Sequence, residues 1–229
     1  MKSLQKLLVN SPSVIAIDGP SASGKGTIAQ LVAEVLGYHY LDSGALYRIV
    51  AFAAKNNNIA WNNENLLAEL AQQIDIKFSA GEIYLNHQKI TGALRTELIG
   101  QGSSEVAMHA AVRKALIDLQ HSFRQMPGLV ADGRDMATVI FPDAKLKIFL
   151  TATAEIRAER RYKQLTAQHE SADYQQILQD LQERDARDQQ RSMAPLILAP
   201  DALLLETSQR SINEAVTFVL NAYNAIQSK

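Results

Sequence analysis

The stretch VIAIDGPSASGKGT, residues 14–27, decides the fold. Residues 14–17 form a short, unbroken apolar run ending in a turn, the pattern of a strand buried on both faces. The turn runs Gly19-Pro20-Ser21-Ala22-Ser23-Gly24-Lys25-Gly26-Thr27. Small residues let successive backbone N–H groups curl around a phosphate chain. Apolar spacing from Ile28 to Leu36 is helical and Gly37 stops it, so a helix N-terminus adds its dipole to the loop. Lys25 reaches the β- and γ-phosphates of a nucleotide as a mobile point charge. Thr27 offers a hydroxyl to Mg²⁺, directly or through water. The strict G-x-x-x-x-G-K-[ST] pattern is not met, because Gly26 separates Lys25 from Thr27. The alternative, a Gly/Ser turn with an incidental lysine, leaves the strand–loop–helix order unexplained.

Outward from this loop, residues 38–41 (YHYL) read as a second strand, and Asp42 or Ser43 caps a helix reaching about Lys55. The texture then turns Asn-rich. Residues 75–90 alternate about Gly81, which predicts a small antiparallel hairpin or three-stranded sheet. Ser103 or Ser104 caps a long helix ending at residues 126–128. Residues 128–132 and 145–150 read as buried strands, 151–161 and 174–192 as helices, 201–206 as a last strand and 212–226 as a closing amphipathic helix. The expected class is α/β: a parallel sheet covered by helices on both faces, interrupted by a small-sheet insert.

Composition excludes several function classes. The 229 residues carry 23 Lys+Arg against 24 Asp+Glu, a formal net charge of −1, so a general polyanion-binding surface is not expected. Cys is zero, which removes disulfides, thiolate metal sites and cysteine nucleophiles. The five histidines form no HExxH or other close pair, so no protein-held metal is expected. No apolar run approaches the ~20 residues of a membrane span, and the N-terminus lacks a signal-peptide core. A cytoplasmic protein without membrane or nucleic-acid partners is the expectation.

Arginine recurs where it ought to be costly. On a helical wheel Ile177, Leu181, Arg184, Asp188 and Arg191 share one face, so an apolar stripe becomes charged without turning outward. Either that face enters a polar cleft or the helix end emerges into solvent. Arg113 lies near the stripe of Val112, Leu116 and Phe123, as a cleft residue or a side chain that snorkels out. Residues 131–136 (ADGRDM) follow a buried strand, so Asp132, Arg134 and Asp135 sit at a strand's carboxyl end, where open parallel sheets bind ligands. Arg134 suits a phosphate oxygen, Asp132 Mg²⁺ through water, and Asp135 an exocyclic amine. Ser43 and Arg48 are candidate phosphate or sugar contacts. Arg157, Arg160 and Arg161 cluster ahead of a polar stretch at 166–173, as a flap over donor phosphates or an exposed charged helix. Phosphoryl transfer rewards such a set, because its catalysis is mainly positioning and electrostatic stabilisation.

Together GPSASGKGT (19–27), LDSGALYR (41–48), LRT (94–96), VRKAL (112–116), ADGRDMATVIFPDA (131–144), KIFL (147–150) and RDARDQQRSMAPL (184–196) resemble bacterial-type cytidylate (CMP) kinase, a nucleoside monophosphate kinase family. The GKGT form of the loop belongs to such kinases. The resemblance implies a P-loop NTPase-like five-stranded parallel sheet and one kinase domain over 1–229. Within it, an acceptor lobe covers about 42–103, including a small-sheet insert at about 63–100, and a lid covers about 157–173. It implies phosphorylation of CMP or dCMP by ATP with Mg²⁺, by direct in-line transfer, in a monomer. Lys25, Arg134, Arg157, Arg161 and Arg191 are then catalytic, with Arg157 and Arg161 as lid arginines. The loop from Gly19 to Thr27 holds ATP. Ser104, Arg113 and Asp135 read cytosine; Ser43, Arg48 and Arg134 hold the acceptor phosphate; Arg184 and Asp188 lie on the ribose side; Arg191 bridges phosphates. Thr27 and Asp132 are the metal contacts. Lys25→Ala or Arg134→Ala is expected to lower kcat severely with the fold intact, and a positive φ at Ala22 would cost about 1 kcal/mol. Other acceptors on the same fold (UMP, dTMP or shikimate) and a non-catalytic ATP-binding regulator are the competing readings.

Overall fold

A computed structural model describes residues 11–79, 82–167 and 171–228. The Gly81 turn, His169, the middle of the polar stretch at 166–173 and the first ten residues lie outside them. The chain divides into two compact units, one formed by residues 1–41, 122–190 and 194–229, the other by 42–121 and 191–193.

The first unit is built on a five-stranded sheet. β1 (Ser13–Asp18) leads into the glycine-rich loop and α1 (Lys25–Leu36), and β2 (His39–Asp42) follows. Beyond the second unit come β6 (Gly128–Gly133), β7 (Leu146–Thr151), α6 (Ala154–Ala167), α7 (Tyr174–Gln190), β8 (Leu203–Glu206) and α8 (Ile212–Gln227). Strand order is β2-β6-β1-β7-β8, and β1 runs parallel to both β6 and β7. β1 therefore delivers the loop at the middle of the sheet. Ile15, Ile17, Val130, Ile148 and Leu150 on the strands, with Ile28 and Val32 of α1 and Val219 and Tyr223 of α8, make one buried cluster. Each such side chain contributes about 1.5–3 kcal/mol when buried. Gly37 ends α1 in the left-handed conformation at φ 64, and a Ser211–Glu214 capping box opens α8.

The second unit holds α2 (Ser43–Asn56), α3 (Glu64–Gln73), β3 (Ile76–Ser79), β4 (Glu82–Leu85), β5 (Gln88–Lys89), α4 (Glu97–Val106) and α5 (Ala110–Ser122). β3, β4 and β5 form an antiparallel three-stranded sheet, with Ile76 opposite Leu85 and Tyr84 opposite Lys89. Asp42, not Ser43, caps α2 by accepting the Ala45 N–H at 2.9 Å. The Asn-rich stretch hides α3, whose cap is Asn63.

The long helix expected after Ser103 or Ser104 is instead two. α4 begins at Glu97 and contains both serines, and Ser103 Oγ donates back to Gly100 O at 2.7 Å. The chain breaks over 107–109, where the His109 ring nitrogen Nε2 and the Trp61 carbonyl lie 2.8 Å apart. Glu64 then accepts the Ala111 N–H at 2.8 Å and caps α5 from another helix. Gly100 and Gly102 argue locally against a helix. Gly102 is nevertheless demanded, since a methyl there would meet the Trp61 ring at 2.5 Å. Later in the chain α7 stops at Gln190, short of Ser192. Leu196 N folds back onto Asp188 O at 2.8 Å, and Pro195 disfavours helix at its predecessor.

Candidate active site

In the first unit, Gly19 sits so close to β7 that a methyl on it would meet the Leu150 carbonyl oxygen at 2.0 Å. No other residue fits. Ala22 has φ 57 and Gly24 φ 91, so the loop makes two left-handed residues, one of them strained by its Cβ. Lys25 Nζ donates to the Pro20 carbonyl at 3.3 Å. Ser23 is buried and its hydroxyl has no hydrogen-bond partner. Buried hydroxyls are ordinarily satisfied, and this one lies inside the glycine-rich loop. Thr27 is exposed at the start of α1.

Ser21 is gripped from two directions. Arg134 Nη2 donates to its hydroxyl at 2.7 Å, and Arg157 Nη1 to its carbonyl at 3.1 Å. Both arginines are anchored on α7: Arg134 Nε to Asp188 at 2.7 Å, Arg157 Nη2 to Asp185 at 2.5 Å. Burial pulls the Arg134 guanidinium toward neutrality, but Asp188, Asp132 and Asp185 outweigh it and raise it above its ordinary range. Arg134 and Asp188, assigned to different parts of an acceptor by resemblance, thus hold each other here. Removing Arg134 would take a charged partner from a buried carboxylate, which makes Arg134→Ala costlier to the fold than the sequence alone suggests. Arg157 is buried and also donates to Ala152 O at 3.0 Å. Arg160 donates to Ser23 O at 3.2 Å and to Thr207 O at 2.6 Å. Arg161 lies along its own helix toward Gln164, at 3.1 Å. Arg184 is half-buried on α7.

At the exit of β6, Asp132 is buried and accepts from the Tyr40 hydroxyl at 2.7 Å. A methyl on Gly26 would lie 3.5 Å from that hydroxyl and 4.0 Å from Asp132 Oδ2. A carboxylate beside Gly26 and a hydroxyl at Thr27 are hard oxygen donors, the set that suits Mg²⁺ arriving with its own waters and phosphates. Among the described residues no three His, Asp or Glu side chains gather as a metal site. Asp135, also buried, precedes a π-type turn at Met136–Ile140 that the sequence patterns did not disclose.

In the second unit Ser43 donates to Gln120 Oε1 at 2.8 Å, and Gln120, fully buried, has Nε2 without a partner. Arg48 Nη1 donates to Leu94 O at 3.1 Å. Arg113 is only 6% exposed, which excludes the snorkelling alternative. It donates to Ala107 O at 3.2 Å, with its guanidinium 5.5 Å from the Tyr47 ring centroid. Ser104 is buried and its hydroxyl has no partner. Arg191 lies in the short segment beyond α7 that groups with this unit. Sequence reasoning missed Asp18, Tyr40, Gln120 and Asp185. Of these, only Asp185 carried a signal, as the neighbour of Arg184 in the RDARD run.

A parallel sheet in this order, with a glycine-rich phosphate loop leaving its middle strand, defines a P-loop α/β protein of the kinase type. Comparison with known proteins narrows this. A family model described as cytidylate kinase matches residues 15–225. A cytidylate kinase of Polynucleobacter asymbioticus is 59% identical over 212 residues, 93% of this chain and 96% of the relative. One from Cupriavidus necator is 52% identical over 215 residues, 94% of this chain and 97% of the relative. A Thermus thermophilus protein of known crystal structure aligns with a TM-score of 0.50 at 18% identity, over 94% of this chain and 98% of that one, and supports the fold alone. The chain belongs to the cytidylate kinase family.

Proposed function

We propose that the protein transfers the γ-phosphoryl group of ATP to CMP or dCMP, forming ADP and CDP or dCDP. It does so as one kinase domain, with an acceptor lobe over about 42–103 and a lid over about 157–173. The reading rests on family membership and, within the molecule, on one observation above all: Arg134 and Arg157, both paired to α7 carboxylates, converge on Ser21 of the phosphate loop. Fixed guanidinium charge beside such a loop is what a reaction needs when negative charge develops on transferring oxygens.

The loop from Gly19 to Thr27 holds ATP through its N–H groups, and Lys25 exchanges the Pro20 carbonyl for phosphate oxygen. Mg²⁺ bound with ATP would be met by Thr27 and, through water, by Asp132, and would neutralise phosphate charge. Ser43, Arg48 and Arg134 hold the acceptor phosphate. Arg191 bridges phosphates, Arg184 and Asp188 contact the ribose side, and Arg157 and Arg161 close on the donor. Ser104, Arg113 and Asp135 read cytosine. The unpartnered Ser104 hydroxyl and the burial of Asp135 support that role. A carboxylate accepts from the cytosine amino group; uracil offers an oxygen there, and the mismatch costs about 1–3 kcal/mol. The attacking oxygen of a phosphate is already anionic, so no general base is required.

Among the described residues no helix is long and apolar enough to cross a membrane. The protein is proposed to act as a cytoplasmic monomer, with nucleotides rather than nucleic acid as partners. ADP release from ATP·Mg²⁺, measured with and without CMP, tests the proposal. Release should depend on CMP and fall at least a hundredfold in Lys25→Ala of unchanged circular dichroism. Equal release without an acceptor would favour an ATP-binding regulator instead.

A further inference from the structure

Asp18 ends β1 and is 2% exposed, yet no step of the proposed chemistry uses it. Its carboxylate leaves the strand and grips the turn that follows β6. Oδ1 accepts the Met136 N–H at 2.8 Å, and Oδ2 accepts the Ala137 N–H at 2.8 Å. These are the first two amides of the Met136–Ile140 turn, donors with no partner inside the turn. The residue before them, Asp135, supplies no side-chain cap. Its carbonyl is held from the other direction, by the N–H groups of Val139 and Ile140 at 2.9 and 3.1 Å. The peptide link between Asp135 and Met136 is therefore pinned on both sides, by Asp18 and by the turn itself. Asp18 stands in strand register with Gly133, so the clamp spans Arg134 and Asp135.

A carboxylate is a costly choice for this place. Burial pushes Asp18 up from 3.8 to about 6, against the pull of the two amides; Asp135 nearby pushes it further up and Arg134 draws it down. A neutral side chain would avoid that cost. Only a carboxylate or its like presents two acceptors in one plane to two adjacent donors. An amide presents one acceptor and sets its own NH₂ against the second N–H.

We propose that Asp18 is a positioning residue for acceptor choice: by clamping the Met136 and Ala137 amides it holds Asp135 where it can discriminate an amino group from a carbonyl on the incoming pyrimidine. The proposal rests on the reading of Asp135 given above. The same residue begins the phosphate loop through its backbone, so one position ties the donor loop to the turn that reads the acceptor base.

Initial rates of Asp18→Asn, with CMP and UMP as acceptors, test this. The expected result is a CMP-to-UMP ratio of kcat/KM at least tenfold below wild type, with KM for CMP raised and KM for ATP within twofold. Asp18→Ser, which keeps one acceptor in a smaller side chain, should fall on the same side. A merely structural role would lower active enzyme for both acceptors alike; an unchanged ratio with unchanged KM for CMP overturns the proposal, as does failure of both variants to fold. Wild-type enzyme assayed alongside separates the two readings. If it does not prefer CMP, the proposed function fails and takes this inference with it; if it does, an unaltered variant counts against Asp18 alone.

Discussion

Three residues show how much of the local chemistry rests on single atoms. Ala22 carries a left-handed backbone, at φ 57, that a Cβ penalises by ~1–2 kcal/mol. Glycine there removes the strain but frees the unfolded chain, returning ~0.4–1 kcal/mol. Ala22→Gly should raise stability in urea unfolding by up to about 1 kcal/mol with turnover near wild type; a clear loss of stability would show that the loop does not depend on this strain. Arg134 is the opposite case. Truncation takes the guanidinium at 2.7 Å away from buried Asp188, at about 3–5 kcal/mol. Arg134→Ala with Asp188→Asn should recover much of that stability and none of the activity, which separates the structural from the chemical share of the pair. Asp18 links the fold to pH. Its pKa is raised from 3.8 in the unfolded range to about 6 in the fold, so its contribution is fully present below pH 4 and lost as pH rises through 6. The loss amounts to ~3 kcal/mol, and Asp18→Asn should flatten that part of the stability profile in chemical denaturation. A variant whose stability falls over that interval as steeply as wild type would contradict this.

Among the elements, the loop between β1 and α1 was legible residue by residue, because glycine, proline and lysine punctuate it unmistakably. The α4–α5 region was not. Its helix boundaries depend on contacts distant in sequence: Trp61 stacked over Gly102, and Glu64 capping α5 at Ala111. Local pattern saw two serines and placed a helix start at them, whereas tertiary packing overrode the low propensity of Gly100 and Gly102. The α3 helix was similarly hidden, since asparagines that look like loop include its cap. Gly102→Ala drives a methyl to 2.5 Å from the indole and should destabilise the protein by about 1–3 kcal/mol. Because α4 carries Ser104, the same change should raise KM for CMP several-fold while KM for ATP stays put. Equal shifts in both constants would argue against α4 as an acceptor-reading element.

At the scale of the whole molecule, the alternation of strands and helices announced a parallel sheet, and β2-β6-β1-β7-β8 is its order. The order itself was not legible from hydrophobic pattern, because every buried strand here reads alike. The arginines were visible as an anomaly of composition: a net charge of −1 with guanidinium groups on apolar faces. Their partners were not visible, and the partners carry much of the physics. Arg134 and Arg157 are held by Asp188 and Asp185 and lean on Ser21, so the first unit keeps fixed positive charge beside the phosphate loop without becoming a general anion trap. In the second unit Arg113 and Ser104 are buried polar side chains.

The proposal that this charge serves transfer to a cytosine nucleotide is tested by initial rates with CMP, dCMP and UMP side by side, at saturating ATP·Mg²⁺. The claim predicts ready turnover of CMP or dCMP, and a kcat/KM for UMP lower by about tenfold or more, the factor that one mismatched hydrogen-bond position supplies. Equal rates with all three, or turnover of UMP alone, would contradict it.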